Sequence, residues 1–136
     1  MSQPDETRAR SIGRVLLIAF YALAGVAHLV VTDAMVRIVP AWVPMPHAVV
    51  IATGLCELAG AAALVTHRWR RAAGWALAAY ALCVWPANAH HAIIDLSRGT
   101  GLPIWYHAPR LALQPAIIWW ALWASGAVRV SRRAPR

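Results

Sequence analysis

Charge is scarce in this chain of 136 residues, where charged side chains make up 13% of the whole against about 25% in an ordinary soluble domain. Lysine is absent, so all thirteen basic residues are arginine, set against five acids for a net charge of +8. Two cysteines without a CxxC spacing exclude a disulfide framework. No GxGxxG or Walker loop, no HExxH and no nucleophile elbow is present, which removes the usual signatures of soluble enzymes. What fills the chain instead is apolar: 60% of residues are hydrophobic. That excludes disorder, and it leaves too few polar side chains to cover a soluble globule. A basic chain often points to nucleic acid. Here the arginines stand in short clusters between apolar runs, as membrane loops do, and no nucleic-acid partner is expected.

Four apolar runs, at residues 12–31, 47–66, 72–94 and 111–128, are each long enough to cross a hydrocarbon core of about 30 Å. Without water to satisfy the backbone they must be helices. The fold class expected is an all-α membrane protein, a four-transmembrane-helix bundle. Residues 1–11 and the basic residues 129–136 read as cytoplasmic tails. A signal peptide is the competing reading of the first run, but the run is too long and no small-x-small site closes it. Ten arginines (8, 10, 14, 68, 70, 71, 129, 132, 133 and 136) fall on one side, against Arg37, Arg98 and Arg110 on the other. The positive-inside rule then puts both termini in the cytoplasm of a multi-pass inner (plasma) membrane protein. Trp42, Trp69 and Trp105 fall at the boundaries, as belt residues should. Trp69 and its arginines also allow a patch for anionic lipid.

The two outer loops carry prolines at 40, 44 and 46 and at 103 and 109, which predict short-helical caps rather than long helix. Pro40, Trp42, Pro46 and His28 recur 63 residues later as Pro103, Trp105, Pro109 and His91. Chance matching competes with two helical hairpins related by a pseudo-twofold axis. The repeat would set His28 and His91 at one depth on opposite sides of the bundle.

Polar groups inside a bilayer are costly and mark function by default. All of them fall in the outer half of the expected bundle. Glu57 lies about 15 Å below the outer boundary. It is read as a proton relay, as a holder of a cation or polar headgroup, or as a pin fixing its helix to its neighbours. Partners available to it are His28, Asn88, His91, Arg110 and Gln114, and these six residues form the expected ligand-binding cluster. The histidines are open to three roles: completing the Glu57 network, holding a quinone carbonyl, or ligating haem. Haem is disfavoured because Pro86 bends the third helix. No metal site is expected, since the histidines lack thiolate companions at metal spacing. Only one of His90 and His91 can face the cluster, being about 100° apart. Pro86-Ala87-Asn88 should kink the third helix and free the Leu82 carbonyl. Cys56 and Cys83, at similar depths, are either a redox pair or plain core residues. Gly25, Gly54 and Gly60 read as close-packing positions.

Phe20 with Ala24-Gly25-x-x-His28, Ile38-Val39-Pro40, Pro44-x-Pro46, Gly54-x-x-Glu57-Leu58-x-Gly60, Arg70-Arg71 with Trp75, Pro86-Ala87-Asn88 and Arg110-Leu111-x-Leu113-Gln114 stand in an order and spacing that resembles the DoxX-like family. The resemblance covers residues 12–126. It implies a small four-helix membrane protein linked to membrane redox systems such as thiosulfate–quinone oxidoreductase subunits. Without a CxxC, no thiol-relay role is carried over.

The leading functional expectation is an accessory subunit of a quinone-linked redox system. Glu57 would manage a proton, the histidines and Gln114 would bond the ligand, and Arg110 would set the local potential. Partner redox subunits and a homo-oligomer are compatible with it, while catalytic turnover and the ligand are left open. A small proton-coupled exporter and a structural or assembly protein are the alternatives.

Overall fold

The computed structural model describes residues 7–99 and 101–128, and the regular structure among them is all helical. The tails at residues 1–6 and 129–136, with the last four arginines, lie outside the described residues. Six helices follow in order: α1 (Arg8–Val30), α2 (Thr32–Val36), α3 (Pro46–Val65), α4 (Arg70–Arg98), α5 (Ile104–Ala112) and α6 (Gln114–Ala124).

The helix ends have local causes. Thr7 caps α1, its side chain accepting from the Arg10 N–H at 3.4 Å. This starts the helix four residues before the expected span and places three arginines in its first two turns. Pro46 opens α3 at its first position, where its missing N–H costs nothing. Gly99, with φ +63°, ends α4 in the left-handed conformation that glycine adopts freely. Pro86 lies inside α4, which stays helical through it to Arg98. The expected fourth span needs correction. Helix begins at Ile104, breaks for one residue at Leu113 and stops at Ala124 rather than 128. Pro115 explains the break, since it has no N–H to offer the Leu111 carbonyl. The Leu113 N–H still bonds Pro109 O at 2.8 Å, and the Ile117 N–H bonds Leu113 O at 2.9 Å, so the helical pattern carries across.

The long elements pack as a ring: α1 against α3 and α6, and α4 against α3 and α6. Neighbours run antiparallel. Glu57 and Gly60 of α3 meet Tyr80 and Leu77 of α4, while Gly74 and Ala81 of α4 meet Ser125 and Gln114 near the two ends of α6. Glycines set the spacing. A Cβ on Gly25 would stand 2.8 Å from Gly54 O, and one on Gly54 would stand 2.8 Å from His28 Cβ. A side chain on Gly74 would overlap Ser125. The close-packing role read from Gly25 and Gly54 is what the backbones show.

The molecule is apolar on its outside. Its core is small and alanine-rich, built on Leu17, Tyr21, Ala61, Leu64, Leu77, Ala78, Ala121 and Ala124. Leu23, Val30, Ile93 and Trp119 are largely exposed. α1 and α3 are each long and apolar enough to cross a membrane, and only 22% and 28% of those spans is buried. A core helix of a soluble protein would be mostly buried.

Candidate functional site

A cavity of about 590 Å³ opens between α1, α3, α4, α5 and α6, under the segment that follows α2. All six residues singled out from the sequence line it: His28, Glu57, Asn88, His91, Arg110 and Gln114. They do not form one network. Four of them divide between two clusters, His28 with Glu57 and His91 with Arg110, each with partners that the sequence reading missed, while Gln114 and Asn88 stand outside both.

The first cluster joins α1, α3 and α4 around Glu57, which is 4% exposed. Its Oε1 accepts the Tyr80 hydroxyl proton at 2.8 Å. Its Oε2 lies 2.9 Å from His28 Nδ1. That contact is close but poorly aligned, because the same nitrogen lies 2.9 Å from the Ala24 carbonyl oxygen. Two acceptors facing one ring nitrogen require Nδ1 to carry a proton. Oε2 is left as a buried oxygen at the cavity wall without an aligned hydrogen-bond donor. Tyr80 was not anticipated. A hydroxyl in the middle of an apolar run needs an acceptor, and Glu57 is the one acid within such a run, so the signal was present. Tyr21 is fully buried beside Tyr80, ring centroids 6.3 Å apart, with its hydroxyl 3.5 Å from Leu77 O.

Gln114 serves a different partner from those expected. Its Nε2 donates to Ala81 O at 2.6 Å, tying α6 to α4 one residue before the Leu82 carbonyl that Pro86 frees. Asn88 lines the cavity beyond it.

The second cluster joins α4 to α5. Arg110 NH1 donates to His91 Nδ1 at 3.3 Å, which leaves Nε2 to carry the ring proton toward Asp95 Oδ2 at 3.1 Å. The same Oδ2 lies 3.0 Å from His107 Nε2 and accepts the Leu102 N–H at 2.9 Å. Asp95 Oδ2 is thus met by three N–H groups or ring nitrogens, from His91, His107 and Leu102. Asp95 and His107 were not among the expected site residues. Asp95 is four residues after His91, the spacing that puts side chains on one helix face, so it was legible. His107 was not, because its place depends on how the chain returns after Gly99. Gly101, with φ +108°, packs against the Asp95 carboxyl so closely that a Cβ there would stand 2.5 Å from Cγ.

The choice between His90 and His91 is settled by the rotation of α4. His91 is buried in the second cluster, while the His90 ring meets Trp42 at 6.5 Å. Cys56 and Cys83 are free and exposed. The elements do repeat in kind, as long helix, short helix and helix in each half. The two repeat histidines nonetheless differ, with His28 bonding back to Ala24 and His91 forward to Asp95.

No curated protein and no solved structure matches the chain. One family profile does, over residues 17–125. That stretch runs from Leu17 in the core to the Ser125 seated on Gly74, and it takes in the cavity and both clusters. The chain belongs to the family described as Domain of unknown function (DUF8561).

Proposed function

We propose that this protein crosses a bilayer four times, through α1, α3, α4 and the α5–α6 unit, and serves as an accessory subunit of a quinone-linked redox system. The cavity holds the quinone ring or a similar flat, oxygen-bearing ligand. The observation that carries this reading is an apolar cavity whose wall presents Glu57 Oε2 without an aligned donor, next to Tyr80 and His28. At about 590 Å³ it falls within the roughly 300–1,000 Å³ range of small-molecule sites. A hydroxyl of a reduced ring would complete Glu57, and the carboxylate would exchange the proton that accompanies ring reduction. Arg110 would supply positive charge at the other wall.

The apolar exterior supports the membrane reading, as does the exposure of Trp42, Trp69 and Trp105 near the helix ends. The arginine asymmetry supports cytoplasmic termini and an inner-membrane location. The resemblance to DoxX-like proteins supports association with partner redox subunits. An exporter is less well supported. The end of the ring away from the cavity is closed by Leu17, Leu64 and Ala124, each 0% exposed, and alternating access needs a path through that end.

The test is an oxidised-minus-reduced absorbance spectrum of the protein purified in mild detergent from its native membrane, followed by titration with a short-tailed quinone against tryptophan fluorescence. The expected result is quinone near one equivalent, with saturable rebinding that Glu57→Gln and Tyr80→Phe weaken. A blank spectrum together with unquenched fluorescence refutes the reading. The cluster around Glu57 would then be a lock between α1, α3 and α4.

A further inference from the structure

We propose that His91, Asp95 and His107 form a binding site for a divalent transition-metal ion, with zinc the best chemical fit. This site is separate from the Glu57 cluster and does not depend on a quinone in the cavity.

The three side chains each bring one donor atom, and these atoms all lie within 4.8 Å of one another. His91 Nε2 and His107 Nε2 stand 3.1 and 3.0 Å from the same Asp95 Oδ2. Around a tetrahedral zinc ion with bonds of about 2.0–2.2 Å, donor atoms lie roughly 3.3–3.5 Å apart. The two separations to Asp95 therefore need a shift of only a few tenths of an ångström, and the two imidazole nitrogens, within 4.8 Å of each other, need to close by about 1.5 Å at most. The imidazole rings meet edge to face at 4.9 Å between centroids, so they do not stack and close the space between them.

The frame is well suited to hold such a set. His91 and Asp95 are one turn apart on α4, and His107 comes from α5. His107 is 1% exposed and His91 8%, so neither ring has room to wander. Asp95 is fixed by the Leu102 N–H. Two imidazoles and a carboxylate with no thiolate are the donor set of open three-ligand zinc sites, in which water takes the fourth position.

Arg110 is an internal competitor. Its donation to His91 Nδ1 holds the ring proton on Nε2, the nitrogen a metal would need. Binding moves that proton to Nδ1 with no net release, and Arg110 must then leave His91. The Tyr106 ring, whose centroid is 5.8 Å from the guanidinium carbon, is at hand to receive it. This gives the proposal a signature that a purely structural cluster lacks: removing Arg110 tightens the site.

The experiment uses the full chain in detergent, free of any affinity tag and stripped with chelator. Cobalt(II) is titrated as a spectroscopic probe, and zinc is then added in competition. The expected result is one equivalent of cobalt with the strong visible absorbance of a four-coordinate site, displaced by zinc. Asp95→Asn and His107→Gln each weaken it by about tenfold or more, and Arg110→Gln strengthens it. The exposed pair His47 and Asp33, 3.4 Å apart, is the control, and His47→Gln leaves binding unchanged. Circular dichroism checks that each variant is folded. No saturable band in either the wild-type chain or Arg110→Gln overturns the proposal, as does binding that depends on His47 rather than His107.

Discussion

Alanine at Gly25 or Gly54 tests the coupling between the α1–α3 contact and the Glu57 cluster. A Cβ on Gly25 would lie 2.8 Å from the Gly54 carbonyl oxygen, and one on Gly54 would lie 2.8 Å from His28 Cβ and 3.0 Å from the Gly25 carbonyl oxygen. Carbon–oxygen contacts between packed helices settle at roughly 3.3–3.6 Å. Gly25→Ala therefore asks the two helices to part by roughly 0.5–0.8 Å, and Gly54→Ala, whose nearest obstacle is a carbon with an ordinary separation of roughly 3.5–4.0 Å, by roughly 0.7–1.2 Å. The obstacles include backbone oxygens and the His28 Cβ, which cannot rotate aside, along with Leu58 Cγ at 2.8 Å from the Gly25 position. Overpacking of this kind costs about 1–3 kcal/mol, and 2 kcal/mol is roughly 30-fold in the ratio of folded to unfolded protein. Both substitutions are relieved by the same separation, so the double variant should lose less than the two single losses added. Because His28 is the residue that Gly54→Ala strikes, the 2.9 Å approach of His28 to Glu57 must lengthen too. Ligand binding should then weaken along with stability. The assay is unfolding in mixed micelles followed by the fluorescence of the eight tryptophans, with quinone titration on the folded variants. Gly126→Ala is the control: its φ of +74° strains the backbone, but nothing lies within 4 Å of the added methyl. It should lower stability and leave the site alone. Wild-type stability in both single variants, or losses that add in full, would refute the reasoning.

Two further predictions concern the other polar groups. Gln114→Leu removes a buried bond of 2.6 Å to a carbonyl that already belongs to a helix, so its loss should be modest, about 0.6–1.7 kcal/mol, measured in the same unfolding assay. Asp95 Oδ2 accepts the Leu102 N–H at 2.9 Å and so ties the turn after α4 back to that helix. Asp95→Ala should therefore lower the protection factor of the Leu102 amide, its exchange rate measured against that of an unstructured chain at the same pH, and an unchanged factor would show that this bond does not hold the turn.

How much was legible in advance differs from element to element. Apolar run length located α1, α3 and α4 to within a few residues, because a helix is the one way such a run satisfies its own backbone. It misplaced the fourth, because Pro115 interrupts that helix and the residues before it, though rich in proline, still wind into α5. The six cavity residues were recognisable because polar groups are conspicuous against leucine and alanine. Their pairing was not.

The sequence by itself determined that the chain is helical, apolar outside its tails and loops, and that the polar groups within its long apolar runs gather in one half of them. Those properties follow from composition and from spacing along one strand of chain. The tertiary structure decided that Glu57 meets Tyr80 and His28 rather than Arg110, that His91 and not His90 turns inward, and that His107 joins Asp95. Each of these depends on how far a helix is rotated and how closely glycines let two backbones approach. That is a property of pairs of helices, and no single run of residues contains it.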